Sequence, residues 1–133
     1  MAITLAHDGD TFTLPAGLAW TDEYAWHPVQ QRTARSTTGA LLVDVAQMVA
    51  GRPITLEGRE TEAWITRELC DLLRALAALA GEEMTLTLRG VARTVIFDHE
   101  RGAGFEAEPL WHLWDGEEDG EQLFRPTLRF LET

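Results

Sequence analysis

The sequence predicts a mainly β fold: two packed antiparallel sheets, as a sandwich or barrel, flanked by one α-helix at about residues 61–80. Three observations carry this. Only one stretch has the three-and-four spacing of an amphipathic helix of ordinary length, short alternating runs fill most of the remainder, and turn residues punctuate those runs. A lone amphipathic helix among short strands has to lie against a sheet, because neither element can bury its apolar face alone.

In chain order, Ile3 and Leu5 alternate with polar or small residues, as do Phe12 and Leu14, and His7-Asp8-Gly9-Asp10 between them is turn chemistry. Residues 2–14 therefore read as a β-hairpin. Pro15, Gly17 and Thr21-Asp22-Glu23 mark a loop carrying Trp20, and Tyr24 to Arg35 is a polar strand that Pro28 confines to an edge or a bulge. After Ser36-Thr37-Thr38-Gly39, the stretch Ala40 to Val49 is strand or short helix, and its β-branched content favours strand. Gly51-Arg52-Pro53 turns the chain into the strand Ile54 to Glu57.

The helix is expected to open near Arg59 to Thr61, with Thr61 as N-cap and Glu62 in the first turn. Ile65, Leu69, Leu72, Leu76 and Leu79 form its apolar stripe, widened by Trp64 and Leu73, while Arg67 and Asp71 are spaced to pair on the opposite face. Gly81 is a C-cap. Met84 to Leu88 and Arg93 to Phe97 form a second hairpin around Arg89-Gly90; Phe105 to Leu110 and Trp111 to Trp114 extend the sheet, and Arg125 to Leu131 closes it.

The 133 residues suit one domain, 1–133, large enough for a real core. Asp and Glu number 22 against 11 basic residues, all arginine, for a net charge of -11. That balance opposes nonspecific binding to nucleic acid or anionic membrane, which needs a basic footprint. It serves solubility in any case. Arginine-only usage also suits planar, bidentate contacts. No apolar run approaches the roughly eighteen residues of a membrane span. The N-terminus lacks a signal-peptide pattern, so folding in the cytoplasm of the producing cell is expected.

Chemistry-bearing patterns are sparse. Asp115 to Glu121 resembles the start of a calcium loop, but Pro126 stands where the bidentate acid belongs, which leaves a solvated acidic loop as the better reading. His7 with Asp8 and Asp10, and His99 between Asp98 and Glu100, lie in turns without metal-ligand spacing. Cys70 is mid-helix among leucines, as a buried thiol would be, and Ser36 lacks a nucleophile elbow. These patterns predict no enzyme, no cofactor and no metal.

Two stretches remain as candidate contact surfaces. Gln30-Gln31-Arg32-Thr33-Ala34-Arg35 is a basic strand in an acidic protein, either an edge protected by charge or a docking edge for a neighbouring copy. The acidic loop with Asp115, Glu117, Glu118 and Asp119, beside Trp111 and Trp114, suits an arginine-bearing partner.

The order of these features resembles a known group. Gln30-Gln31-Arg32, the strand Gly51-Arg52-Pro53-Ile54-Thr55-Leu56-Glu57-Gly58, one helix bearing Trp64 and the hairpin ending Val95-Ile96-Phe97-Asp98-His99 resemble small tail proteins of long-tailed bacteriophages. The nearest is the distal tail protein at the tube–baseplate junction, itself similar to the tail-tube and type VI secretion tube fold. The likeness covers most of residues 24 to 132 and is one of pattern, without a diagnostic motif. It implies a noncatalytic structural role in a phage or prophage virion tail, as a ring of copies, six in the tube fold. It also implies tube, tape-measure or hub proteins as neighbours and a lumen that DNA crosses without specific binding. Two departures stand out: the chain stops at Thr133, short of the receptor- or carbohydrate-binding domain common in distal tail proteins, and no segment is assigned to the oligomerising hairpin of tube proteins. A baseplate, terminator or completion protein fits equally. The alternative class is an acidic module that mimics nucleic acid and blocks a basic enzyme surface.

Overall fold

Alternation of apolar and polar residues makes strand the main regular structure of this chain, and the order of those strands decides where the core lies. The computed structural model describes residues 3–59, 62–112, 114, 116 and 120–133. The expected mainly β class is present, with two antiparallel sheets and one helix among the described residues; the smaller sheet is a two-stranded hairpin exposed along its whole length, so it does not pack face to face on the larger one as expected.

The first hairpin joins β1 (Ile3–His7) to β2 (Asp10–Leu14) through Asp8 and Gly9, whose φ values of 49° and 84° suit a two-residue primed turn. β3 (Ala19–Trp20) follows. β4 (Val29–Arg35) and β5 (Leu41–Gln47) form a sheet of their own. β6 (Pro53–Glu57) and the short β7 (Ile65–Thr66) lead into α1 (Arg67–Ala77). β8 (Met84–Leu88) and β9 (Val91–Phe97) turn through Arg89 and Gly90, again both at positive φ. β10 (Phe105–Pro109) and β11 (Leu123–Glu132) complete the fold.

The larger sheet runs β2-β1-β8-β9-β11-β6-β3. β11 holds it together: β6 and β7 lie along one of its edges, β9 and then β10 along the other. One face of this sheet buries Leu5, Leu86, Val95, Phe130, Leu128 and Leu56, and α1 closes over the same core with Cys70, Leu73 and Leu76. Alternation on β11 is plain: Pro126, Leu128 and Phe130 are buried, whereas Thr127, Arg129 and Leu131 are half-buried. Gly58 is required by proximity, since a Cβ there would sit 2.6 Å from Cδ of Pro126 and 2.7 Å from the Ala63 carbonyl oxygen.

Several sequence expectations are corrected. The helix expected at about 61–80 has eleven residues, Arg67–Ala77, and Thr66 caps it by accepting the Leu69 N–H at 3.3 Å. It starts late because Ile65 and Thr66 are drawn into a ladder with Phe124 and Leu123. The expected cap, Thr61, lies outside the described residues. The buried stripe is also rotated: Cys70, Leu73 and Leu76 face the core, while Leu72 and Leu79 are exposed. Arg67 turns to Gln122, 2.7 Å away, and stacks over Phe124 rather than pairing with Asp71. The polar strand begins at Val29, because Tyr24 and Ala25 are in a turn closed by the Ala25 N–H to the Asp22 carbonyl. The segment from Trp111 does not extend the sheet: Pro109 is the last residue of β10, one further bond runs from the Leu110 N–H to the Leu123 carbonyl at 3.2 Å, and Trp111 and Trp114 follow in irregular backbone.

Candidate functional site: a free-standing hairpin

β4 and β5 pair in register from Val29 opposite Gln47 to Arg35 opposite Leu41. The turn between them is closed by the Ser36 N–H to the Ala40 carbonyl at 2.9 Å and the Gly39 N–H to the Ser36 carbonyl at 3.0 Å. Gly39, at φ +87°, takes the left-handed conformation the turn needs. Arg35 Nη1 donates to the Gly39 carbonyl at 3.3 Å, and at the other end the Met48 N–H donates to the Pro28 carbonyl at 2.9 Å. Seven residues per strand make an arm about 20 Å long.

All seven residues of each strand are exposed, and among the described residues neither strand pairs with any other. Cross-strand partners share a face. One face therefore carries Val29, Leu41, Val43 and Val45 beside Gln31, Thr33 and Arg35; the other carries Gln30, Arg32, Ala34, Leu42, Asp44 and Ala46. An ordinary strand has one buried and one wet face, whereas this hairpin presents an apolar row with nothing covering it. Isolated two-stranded hairpins are marginal in water, and clustered exposed apolar side chains mark contact sites.

Sequence-predicted Gln30, Gln31, Arg32 and Arg35 thus sit together on one strand of the arm, with Arg32 directly across from Asp44. The stronger feature, the row Leu41, Val43 and Val45, was not among the predicted contact residues. Its signal was visible as a strand with a single charge, Asp44, in seven residues. Trp111 and Trp114 are exposed, Trp114 at 73%, and His112 packs edge-on to Trp114. Asp115, Glu117, Glu118 and Asp119 lie outside the described residues.

Most other arginines are engaged within the fold. Arg52, Arg93 and Arg89 lie 4.8, 5.4 and 5.7 Å from the Trp20 ring, Arg89 also meets Glu23 at 3.1 Å, and Arg125 meets Glu108 at 2.8 Å. The planar guanidinium suits both kinds of contact.

Cys70, Asp98 and His99 have structural settings. Burial, followed by the Asp71 charge, pushes the Cys70 thiol up to about 11, with Arg67 pulling the other way, so at neutral pH it is a protonated core residue. Burial alone would raise the Asp98 carboxyl, but the 2.6 Å hydrogen bond from Arg101, the Glu100 N–H and the Arg101 charge more than offset it and hold Asp98 below its ordinary value. His99 Nδ1 accepts the Gly104 N–H at 3.0 Å, which leaves Nε2–H to donate to the Ala77 carbonyl at 2.9 Å, tying the end of α1 to the turn after β9. Among the described residues no group of three or more His, Cys, Asp or Glu is placed to hold a metal, and no helix is long and apolar enough to cross a membrane.

Compared with known proteins, the chain matches no family model, and no curated protein matches it.

Proposed function

We propose that this protein is a noncatalytic structural subunit of a phage or prophage tail, at the tube junction, distal ring or baseplate, and that it assembles with copies of itself into a closed ring through the β4–β5 arm. The observation that carries the reading is the arm itself, fourteen exposed strand residues with an uncovered apolar row. A ring is the natural product of such an arm: a protrusion that seats on a different surface of its neighbour makes a heterologous contact, which closes when the rotation permits. The resemblance in feature order to small tail proteins points to the same class of assembly.

Charge fits this role. The arm carries two arginines and one aspartate in a chain of net charge -11, so an arm laid on the body of the next copy brings opposite charges together. An acidic lumen would let DNA pass without sticking. Trp111 and Trp114 supply a second, aromatic surface for an arginine-bearing neighbour in the tail. Native mass spectrometry of the full chain tests the reading: a discrete ring supports it, and a strict monomer at high concentration sinks it.

A further inference from the structure

The ring reading leaves open which surface of the neighbour receives the arm. Exposed large apolar residues outside the arm and the Trp111–Trp114 segment are few, and two of them are Leu72 of α1, at 44%, and Leu79 of the turn just past its C-cap Ala78, at 41%. Leu72 and Ala75, three residues apart, share one side of the helix, and Leu79 follows in the turn beyond its end. From Ala75 to Gly81 the chain has no charged residue, although Ala75, Ala78, Leu79 and Ala80 are all exposed. That is an unusual surface for a protein in which a quarter of the residues are charged. A solvent-facing helix ordinarily spends such positions on Glu, Lys or Arg.

Shape and charge both match the arm. From Leu72 to the helix end at Ala77 the chain rises about 8 Å at 1.5 Å per residue, with Leu79 in the turn just beyond, and Leu41 to Val45 on the arm spans about 13 Å. Alanines keep the helix low in relief, so a flat hairpin face can approach closely. Carboxylates bracket the row, with Glu68 before it and exposed Glu83 beyond its end, while Arg35 closes the tip end of the arm's apolar face. We propose that the outer face of α1 and the turn after it, carrying Leu72, Ala75 and Leu79, is the seat for the β4–β5 arm of a second copy, with Arg35 meeting Glu68 or Glu83 at its end. This rests on the ring reading and specifies its contact.

Cross-linking tests it. In an equimolar mixture of Val43→Cys and Leu79→Cys full-length chains, a short bismaleimide should give covalent dimers, and neither variant alone should do so, because each contact then lacks one thiol; Cys70 is buried. In parallel, Leu72→Asp and Leu79→Asp should each raise the concentration needed for assembly at least tenfold, with helical circular dichroism retained. Arg35→Glu should weaken assembly several-fold, and either Glu68→Arg or Glu83→Arg in that background should restore it. If Val43→Asp dissolves the assembly while the helix variants leave it intact, no mixed dimer forms and neither swap restores it, the arm seats elsewhere: this inference falls and the ring reading stands. A wild-type chain that never assembles overturns both.

Discussion

Val43→Asp separates assembly from folding. Val43 is 49% exposed, lies in the apolar row of the arm and faces Thr33 across the hairpin, away from the core. Burying a valine completely is worth about 1.5–3 kcal/mol, so covering the exposed half contributes about 1 kcal/mol per contact. A carboxylate at the same place must also be desolvated without a partner, at a further cost of about 2–4 kcal/mol on the scale of unpaired buried polar groups. The sum, about 3–5 kcal/mol, is a loss of about 10²- to 10³-fold or more in association constant, since each 1.4 kcal/mol is a factor of ten. Sedimentation velocity across a dilution series reads this as a shift from ring to monomer. Thermal unfolding of the monomer should move little, because the arm contributes no residue to the buried core. An unchanged sedimentation profile, or a variant monomer that melts well below the wild-type monomer at the same dilution, would overturn this.

The rest of the fold offers four further tests. Gly58→Ala forces a methyl group against Pro126 and the Ala63 carbonyl and should destabilise by about 1–3 kcal/mol in urea unfolding. Thr66→Ala removes the acceptor for the Leu69 N–H and should cost about 0.5–2 kcal/mol, whereas an uncapped helix start would show no change. Asp98→Asn should cost about 1–3 kcal/mol near neutral pH. Because the folded carboxyl titrates below its ordinary 3.8, its contribution is present above that value and disappears as pH falls through the folded pKa, so wild type and variant should converge below about pH 4. Cys70, buried and with its pKa near 11, should resist a disulfide reagent at pH 8 in the native protein and react fully once unfolded.

Strand identity was legible because alternation and turn residues agree: Asp8-Gly9 and Arg89-Gly90 sit where two-residue turns are needed, and Leu128 and Phe130 are buried as their spacing implies. Helix boundaries were less so. Thr61 and Glu62 have the chemistry of a helix start, but pairing of Ile65 and Thr66 with β11 outweighs local propensity and moves the start to Arg67. The same competition set the buried side. The four-and-three rhythm from Ile65 to Leu79 pointed inward on paper, yet Cys70 and Leu73 took the core, leaving Leu72 and Leu79 outside.

The arm shows a different limit of sequence reading. Both its strands and its turn were readable, and Arg32 and Arg35 were singled out by charge. Its separation from the core was not, because Leu41-Leu42-Val43, apolar on both faces, looks like a strand buried in a sheet. Whether an apolar strand is covered within its own chain or by another chain depends on where the rest of the fold places it, and no local pattern records that.

The most direct test of the central claim is the mass of the full-length protein by native mass spectrometry over a range of concentrations. A ring built through the arm gives one discrete closed oligomer, lost on substitution of Val43 by aspartate. A monomer at every concentration, or an oligomer indifferent to the arm, would contradict it.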